Sequence, residues 1–307
     1  MMAWNACANQ RRTTGITCAT AWTGLGIVCS MAGSVRSFVS RSRPSRASQL
    51  PYVVKPLRGD QRFQRGRSWQ AVQARAARVP ALPSGRRLQI AEGVEGSDVL
   101  GSRVWPCAAS MCSWLREHAV QVESSNVLEV GSGTGVVGLF AAALGAAHVT
   151  LSDGGPQSLE RLARHNVAVN QEAGLIPASA DVRVVSFQWG ESAPRLGGGR
   201  AWDWVLGSDV TYSRGSHAML CDALAALLSE CGGRAPPRVL VAHEHRGLVT
   251  DLTRPRVDGQ LEHFQQAAFE RRLSVRVLRS ETLGEHAIGS PKVSLLEVQQ
   301  LEANTAQ

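Results

Sequence analysis

A glycine-rich turn followed by an acid is the stretch whose residue types and spacing best indicate chemistry. Directly after an apolar run, three glycines alternate with other residues: Gly131, Gly133 and Gly135. The next apolar run ends at Asp153. Glycines let the backbone approach a ligand where a Cβ atom would clash, and the helix that follows points its free N–H groups at the same place. Because an acid there can accept hydrogen bonds from ribose hydroxyls, the segment predicts a nucleoside-cofactor site.

Two cofactor chemistries fit this turn. The nicotinamide fingerprint G-x-G-x-x-G can be placed on Gly133, Gly135 and Gly138, with an acid at the required distance downstream. The apolar strand, however, ends at Val130, so the turn begins at Gly131 and the nicotinamide motif is out of register. The position of the strand end therefore argues against a nicotinamide cofactor. The second cofactor chemistry becomes apparent when the residues of the turn are counted from the end of the strand.

Counted in that way, the turn reads Glu129-Val-Gly-Ser-Gly-Thr-Gly. This acid-x-G-x-G-x-G pattern resembles motif I of the seven-strand S-adenosylmethionine-dependent methyltransferases. The resemblance implies that Glu129 lies near the amino acid part of the cofactor and that Asp153 holds the ribose. It also implies cofactor contacts for four residues of the turn: Gly131, Ser132, Gly133 and Gly135. In the alternative interpretation, both acids are strand-end residues beside a helix N-terminus and bind nothing.

A second acid motif ends the fourth predicted strand, in the order Ser208-Asp209-Val-Thr-Tyr212. It resembles the acid-x-x-Tyr/Phe signature of the protein-lysine methyltransferases within the seven-strand class. The resemblance implies that Asp209 orients the lysine amine and that Tyr212 walls the channel, and we place Ser208 among the cofactor-binding residues. Alignment of the amine with the methyl group supplies much of the rate enhancement in such a displacement. The alternative is a strand-end aspartate with a tyrosine in the core.

Two tryptophans complete the predicted site. Trp105 begins a helix ahead of the first strand, where the lysine methyltransferases that the sequence resembles carry a segment that folds over the cofactor; a core position is the alternative. Trp189 follows the third strand, and loops at the carboxyl ends of strands bind ligands in open α/β sheets. Its indole is expected to stack on the adenine, although Gln188 replaces the acid that this family carries before it.

His243 and His245 are the residues that most resemble metal ligands. Their i, i+2 spacing puts both imidazoles on one face of a strand. The sequence provides no evident third ligand and no H-E-x-x-H motif. No metal site is therefore predicted.

Alternating strands and helices must position these residues. Apolar runs of strand length predict seven strands, at 126–131, 148–153, 182–187, 202–208, 238–244, 273–278 and 293–298. Helical runs separate most of them, and this order predicts an α/β fold: a doubly wound, mostly parallel, seven-stranded Rossmann-like sheet with helices on both faces. Residues 88–100 are predicted to lead in as a strand or hairpin, and the methyltransferase domain is placed at 88–302.

Charge divides the chain into two parts. The first 91 residues hold fifteen Arg or Lys and one acid, Asp60, so they carry +14, whereas the remainder holds 18 basic and 24 acidic residues and carries −6. Residues 1–85 are rich in Arg and Ser, which predicts disorder and is typical of an organelle transit peptide. The uncharged run Thr13–Val35 is long enough to span a bilayer but is interrupted by Thr, Ser and Gly, so no stable membrane span is expected; a signal peptide or membrane anchor is the alternative.

The sequence therefore predicts an S-adenosylmethionine-dependent enzyme of a chloroplast or mitochondrion, with the cytoplasm as the alternative. The expected substrate is a lysine-bearing protein, and a monomer is favoured. Nucleic acid is not an expected partner, because aromatic residues are too sparse in the basic segment for a stacking platform. The alternatives are a methyltransferase that acts on a small molecule or on histidine, and a non-catalytic binding protein with the same fold. The intact glycines, Asp153 and Asp209 argue against the last of these.

Overall fold

A seven-stranded sheet lies at the centre of the computed structural model. The structure describes residues 79–93, 99–191, 196, 200–229, 231, 233–246, 258–283 and 291–301. The strands are β1 (Asn126–Val130), β2 (His148–Asp153), β3 (Asp181–Ser186), β4 (Trp204–Ser208), β5 (Arg238–Glu244), β6 (Leu273–Thr282) and β7 (Lys292–Gln300). The helices are α1 (Pro106–Glu117), α2 (Ala119–Val122), α3 (Val136–Ala143), α4 (Gln157–Glu172), α5 (Arg214–Ser229) and α6 (Gly259–Phe269). All seven predicted strands are found, and β6 extends further than predicted.

The sheet is mixed: four of its six strand pairs are parallel, in line with the predicted mostly parallel sheet, and the two antiparallel pairs both involve the last strand. The strand order is β3-β2-β1-β4-β5-β7-β6, and β1 to β5 pair in parallel. β7 runs antiparallel to both of its neighbours, β5 and β6. The reason is the short connection from Thr282 to Lys292. A parallel crossover needs a dozen or more residues, usually with a helix, whereas a short loop joins antiparallel strands.

Two hydrophobic cores lie on opposite faces of the sheet, because successive side chains of a strand point to opposite faces. In β1, Val127 packs into the core that also holds side chains of α1, α3 and α4. Its neighbour Leu128 packs into the second core, with side chains of α5 and α6. Helices therefore cover both faces, as predicted, and the carboxyl ends of the central strands stay open for a ligand.

The chain ahead of α1 joins the domain through side-chain amides. Residues 88–93 form no regular strand, contrary to the expectation for this segment. Instead, the N–H groups of Gln89 and Ala91 donate to Asn170 Oδ1 (2.9 Å) and Asn166 Oδ1 (2.8 Å). The two asparagine amides donate back to the carbonyl groups of the same residues. These buried side chains of α4 thus satisfy backbone groups that a neighbouring strand would otherwise pair.

Most of the basic N-terminal segment lies outside the described residues. This holds for residues 1–78, and therefore for the uncharged run Thr13–Val35. The end of the predicted segment packs on the domain, because Val79 and Leu82 are buried in the same core as α1. Among the residues that the structure describes, no helix is both long and apolar enough to cross a membrane.

Candidate active site

A cavity of about 720 Å³ opens at the edge of the sheet where β1, β2 and β4 end. Loops at the carboxyl ends of strands line it, as expected for a ligand site in an open α/β sheet, and the segment before α1 contributes as well. The volume is typical of a small-molecule site. Ten of the eleven predicted site residues line this cavity: Trp105, Glu129, Gly131, Ser132, Gly133, Asp153, Trp189, Ser208, Asp209 and Tyr212.

Gly135 is the predicted residue that does not line the cavity. It is the N-cap of α3 with a φ of +79°, and a Cβ atom there would lie 2.7 Å from Leu151 Cδ1. Gly135 therefore determines the conformation of the turn without lining the cavity. Gly133 does face the cavity: its φ is +53°, and a Cβ atom would lie 2.5 Å from the carbonyl oxygen of Gly101. A larger residue at Gly133 would be strained and would push the segment before α1 away from the turn.

The register of the turn agrees with the methyltransferase pattern. β1 ends at Val130, so the turn begins at Gly131. Gly138 lies in the first turn of α3, where its N–H donates to Glu129 Oε2 at 2.8 Å. A Cβ atom on Gly138 would overlap the side chain of Leu151. Gly138 thus allows close packing of α3 on β2 and donates to the buried acid.

Glu129 places a buried carboxyl group in the cavity wall, with an exposed fraction of 1%. Burial raises the pKa of Glu129 to about 8; the hydrogen bond from Gly138 opposes this rise, and the negative charge of Asp153 adds to it. Among the described residues, no basic side chain lowers this pKa. A cationic group of a ligand would supply the missing charge partner.

Asp153 ends β2 and is held by the turn. Its Oδ2 atom accepts a hydrogen bond from Gly133 N–H, and its Oδ1 atom accepts one from Gly155 N–H, each at 2.8 Å. These bonds fix the carboxylate, while each oxygen keeps a second lone pair for a hydroxyl donor. The geometry therefore fits the predicted ribose contact.

Two indoles provide flat apolar surfaces at the cavity. Trp189 lies against the glycine turn, because a Cβ atom on Gly131 would be 3.3 Å from its Cζ2 atom. Trp105 is the N-cap of α1, and its Nε1 donates to the carbonyl oxygen of Leu100 at 3.0 Å. The guanidinium carbon of Arg246 is 5.2 Å from the centre of the Trp105 ring, which is a cation–π distance.

Asp209 follows β4 in the left-handed backbone conformation, with a φ of +60°. Its N–H donates to Ala242 O at 2.9 Å, and its side chain is 6% exposed. Burial raises the pKa of Asp209, although the hydrogen bond and the charge of Arg246 oppose the rise. Arg246 Nη2 donates to Asp209 Oδ2 at 2.5 Å and to Glu244 Oε2 at 2.6 Å. The predicted catalytic acid thus belongs to a cluster of three charged groups.

Tyr212 stands at the mouth of the cavity and not in the core, with 47% of the residue exposed. Two other exposed apolar side chains line the cavity with it, Leu100 at 54% and Met219 at 40%. Exposed apolar side chains that cluster in this way are typical of contact surfaces. The position of Tyr212 is compatible with the predicted channel wall.

Several lining residues were absent from the predicted site, and Gly101, Met219 and Arg246 are the most informative of them. Arg246 had a usable signal, since it lies just after β5 and the carboxyl ends of strands line ligand sites. Gly101 and Met219 had none. They reach the cavity from the segment before α1 and from the first turns of α5, and their approach depends on tertiary packing.

A buried hydrogen-bond network supports the segment 209–212. Asp258 Oδ2 bonds both His243 Nε2 (2.9 Å) and His245 Nδ1 (2.8 Å), and His243 Nδ1 bonds Thr211 Oγ1 (2.7 Å). Asp258 is the third possible metal ligand beside the two histidines. The sequence did not reveal it, because Asp258 reaches both histidines from the N-cap of α6. The three side chains place possible ligand atoms within 4.8 Å of one another, and hydrogen bonds already join them.

Comparison with known proteins agrees with this geometry. A family model described as lysine methyltransferase matches residues 84–264. EEF1A lysine methyltransferase 3 of Mus musculus is 32% identical over 148 residues, which cover 48% of this chain and 58% of that protein. Protein N-lysine methyltransferase METTL21A of Danio rerio is 36% identical over 126 residues, 41% of this chain and 55% of that protein. Histone-arginine methyltransferase METTL23 of Xenopus laevis is 39% identical over 114 residues, 36% of this chain and 45% of that protein.

This chain thus spans less than two thirds of the length of each of these relatives. The family match covers β1 to β5 and every predicted site residue. The buried acid without a basic partner, the acid held at the end of β2 and the indole beside the turn fit S-adenosylmethionine, which the match confirms as the cofactor. The chain belongs to the lysine methyltransferase family.

Proposed function

We propose that this protein transfers a methyl group from S-adenosylmethionine to the ε-amine of a lysine in a protein substrate. The observation that carries the proposal is the position of Asp209, whose buried carboxylate lines the same cavity as Glu129 and Asp153. Glu129 and Asp153 suit the cofactor, and Asp209 suits a cationic methyl acceptor. The names of two relatives, EEF1A lysine methyltransferase 3 and METTL21A, support a protein lysine as that acceptor.

Each predicted cofactor contact has a place in this proposal. Glu129 binds the positively charged amino acid part, Asp153 binds the ribose hydroxyls, and Trp189 stacks on the adenine. Trp105 covers the cofactor from the start of α1. The turn and the end of β4 supply backbone groups close to the cofactor, from Gly131, Ser132, Gly133 and Ser208. Gly135 keeps the turn in its conformation.

The cofactor supplies an activated methyl group on a sulfonium centre. A lysine arrives as an ammonium ion at neutral pH, and its nitrogen releases a proton to solvent at the mouth of the cavity before the lone pair forms the new N–C bond. Bound S-adenosylmethionine would supply this methyl group and would keep the electron pair of the broken C–S bond on its sulfur. Asp209 draws the ammonium ion out of water and then accepts a hydrogen bond from the neutral amine, so that the lone pair faces the methyl group. This alignment is the main contribution of the protein.

The mouth of the cavity favours a protein over a small molecule as the substrate. Leu100, Tyr212 and Met219 expose apolar surface around the opening. A metabolite enclosed in the cavity would not need this surface, whereas the residues on either side of a substrate lysine would cover it. An arginine acceptor is suggested by the name of METTL23, and a histidine acceptor would use a similar channel.

Residue-level labelling tests the acceptor. We expect that incubation of the protein with organelle extract and S-adenosylmethionine carrying an isotopically labelled methyl group places the label on protein lysines. Tandem mass spectrometry of the digested proteins identifies the modified residue. A parallel sample with Asp209→Asn distinguishes this activity from that of other methyltransferases in the extract. Label that depends on Asp209 but appears on histidine, on arginine or only on metabolites would overturn the lysine assignment.

We also propose that residues 1–85 direct the protein to an organelle, because the segment is rich in Arg and Ser and almost free of acids. A fluorescent protein fused behind residues 1–85 is expected to enter chloroplasts or mitochondria, as seen by microscopy with organelle markers. The matched control replaces the arginines of the segment by glutamine and should leave the fusion in the cytoplasm. Cytoplasmic fluorescence of the unaltered fusion would contradict the proposal.

A further inference from the structure

Arg246 occupies the place beside Asp209 where the ammonium group of a substrate is expected. Its guanidinium donates to Asp209 Oδ2 at 2.5 Å and lies over the ring of Trp105, at 5.2 Å from the ring centre. Glu244 Oε2 accepts a further hydrogen bond from it at 2.6 Å. The Arg246 side chain lines the cavity and is 33% exposed. It can therefore move away from Asp209 without opening the hydrophobic core.

The charges around Asp209 leave room for one more cation. Asp209 and Glu244 carry two negative charges, and Arg246 supplies one positive charge. Cys107 faces Asp209 from α1, but burial raises the pKa of its thiol well above the usual value, so it stays neutral. His243 on β5 also favours the charged form of Asp209, but it is paired with Asp258 at 2.9 Å, so this second pair leaves the charge balance unchanged. Addition of one ammonium group would balance the two carboxylates and the guanidinium.

We propose that Arg246 is a positioning residue that keeps Asp209 ionised in the free enzyme and gives up its place on Asp209 to the ammonium group of the substrate lysine. This inference rests on the proposed lysine acceptor. After displacement, the guanidinium keeps Glu244 and the face of Trp105 as partners, so that no buried charge is left bare. The exchange also makes the site selective, because a neutral group cannot replace a cation beside a buried carboxylate.

Removal of Arg246 should have two opposite effects on the binding of an amine. It frees Asp209, which favours binding. It also removes a cation beside Asp209, so that the neutral acid persists to higher pH. An alkylammonium ion should therefore bind the variant more weakly than the wild type at low pH and more tightly at high pH. If Arg246 only supported the fold, the affinities of the wild type and the variant for the alkylammonium ion, plotted against pH, would not cross.

The first measurement is the titration of Asp209 in the full chain with R246M. Aspartate labelled with 13C at its carboxyl group gives one resonance for each of nine aspartates, and Asp209→Asn identifies the resonance of Asp209. We expect R246M to move the titration of Asp209 upward by about one pH unit or more and R246K to restore it. The matched control is R271M, because Arg271 pairs with Asp222 outside the cavity. An unshifted titration in R246M would overturn the proposal.

The second measurement is the binding of n-butylammonium, which reproduces the end of a lysine side chain. Above the pKa of Asp209 in the variant, R246M should bind it about tenfold more tightly than the wild type, and below that pKa more weakly. A constant affinity ratio across pH would contradict the exchange. If R246M does not fold, the wild type provides the test. The guanidinium 15N resonance of Arg246 is identified as the one that is absent from R246K, and addition of butylammonium is expected to shift it. A resonance that does not shift would overturn the proposal.

Neither measurement requires a methyl acceptor or the cofactor. A protein that methylates no lysine can still show the exchange, and a protein that methylates lysine can fail to show it. Failure of the proposed function and failure of this inference are therefore distinguishable.

Discussion

Replacement of Asp209 by asparagine is expected to lower kcat/KM for methyl transfer by about a hundredfold or more, while the Kd of the cofactor changes by about twofold or less. The amide has the same size but no charge, so the lysine ammonium loses its partner inside a buried site. Kinetics with a labelled methyl group measure the first quantity. Calorimetric titration with S-adenosylhomocysteine measures the second.

Asparagine is a sharper test than alanine because Asp209 has a φ of +60°. Asparagine tolerates the left-handed region, whereas alanine would be strained there by roughly 1 kcal/mol. A loss of activity in the alanine variant could then reflect a displaced loop. The matched control is Asp222→Asn, which removes an exposed carboxylate paired with Arg271. An unchanged kcat/KM in Asp209→Asn would remove the role proposed for this residue, and an equal loss in the control would indicate a general effect.

Replacement of Glu129 by glutamine is expected to stabilise the protein without cofactor at alkaline pH and to weaken cofactor binding by about tenfold or more. Both effects come from one buried charge. Because burial raises the pKa of Glu129 from 4.5 to about 8, the folded protein keeps this proton through a range of pH in which the unfolded chain has lost it. The folded state then binds more protons, so stability falls as pH rises between these two values.

The size of the effect follows from the shift. A difference between 4.5 and about 8 corresponds to a loss on the order of 5 kcal/mol once the pH exceeds the upper value. Glutamine cannot ionise, and its carbonyl oxygen can still accept the hydrogen bond from Gly138. We therefore expect the Tm of the wild type to fall between pH 5 and 9 by several degrees more than that of Glu129→Gln. Thermal unfolding across this range measures the difference.

Glu297→Gln is a control with the opposite sign. Glu297 is also buried, and burial alone would raise its pKa, but hydrogen bonds from Arg276 and Arg238 lower it. Loss of this carboxylate should destabilise the protein at neutral pH, where the paired charge is present in the folded state. The contrary result would be a Glu129→Gln variant that is no more stable than the wild type at alkaline pH and binds S-adenosylhomocysteine equally well. Glu129 would then not be the charge partner of the cofactor.

The helices and strands were predictable because their signals are local. β1 and β2 are apolar runs bounded by turn residues, and α5 is a long, mostly apolar helical run. Most of the predicted cofactor site was predictable for the same reason. Glu129, the glycine turn and Asp153 belong to one β-α-β unit, and a unit of this kind brings its strand ends together whatever the rest of the chain does. Asp209 was found because it directly ends a strand that is buried on both faces.

Other features depend on contacts between distant segments. The choice of Asp209 as the partner of Arg246 and the approach of Gly101 to Gly133 have no local pattern that predicts them. Local sequence determines which residues form a strand and which end of it carries an acid or a glycine. The partner that each residue meets depends on which strands become neighbours and how their loops converge. That choice comes from many weak packing contacts summed over the whole sheet, and no single segment contains them.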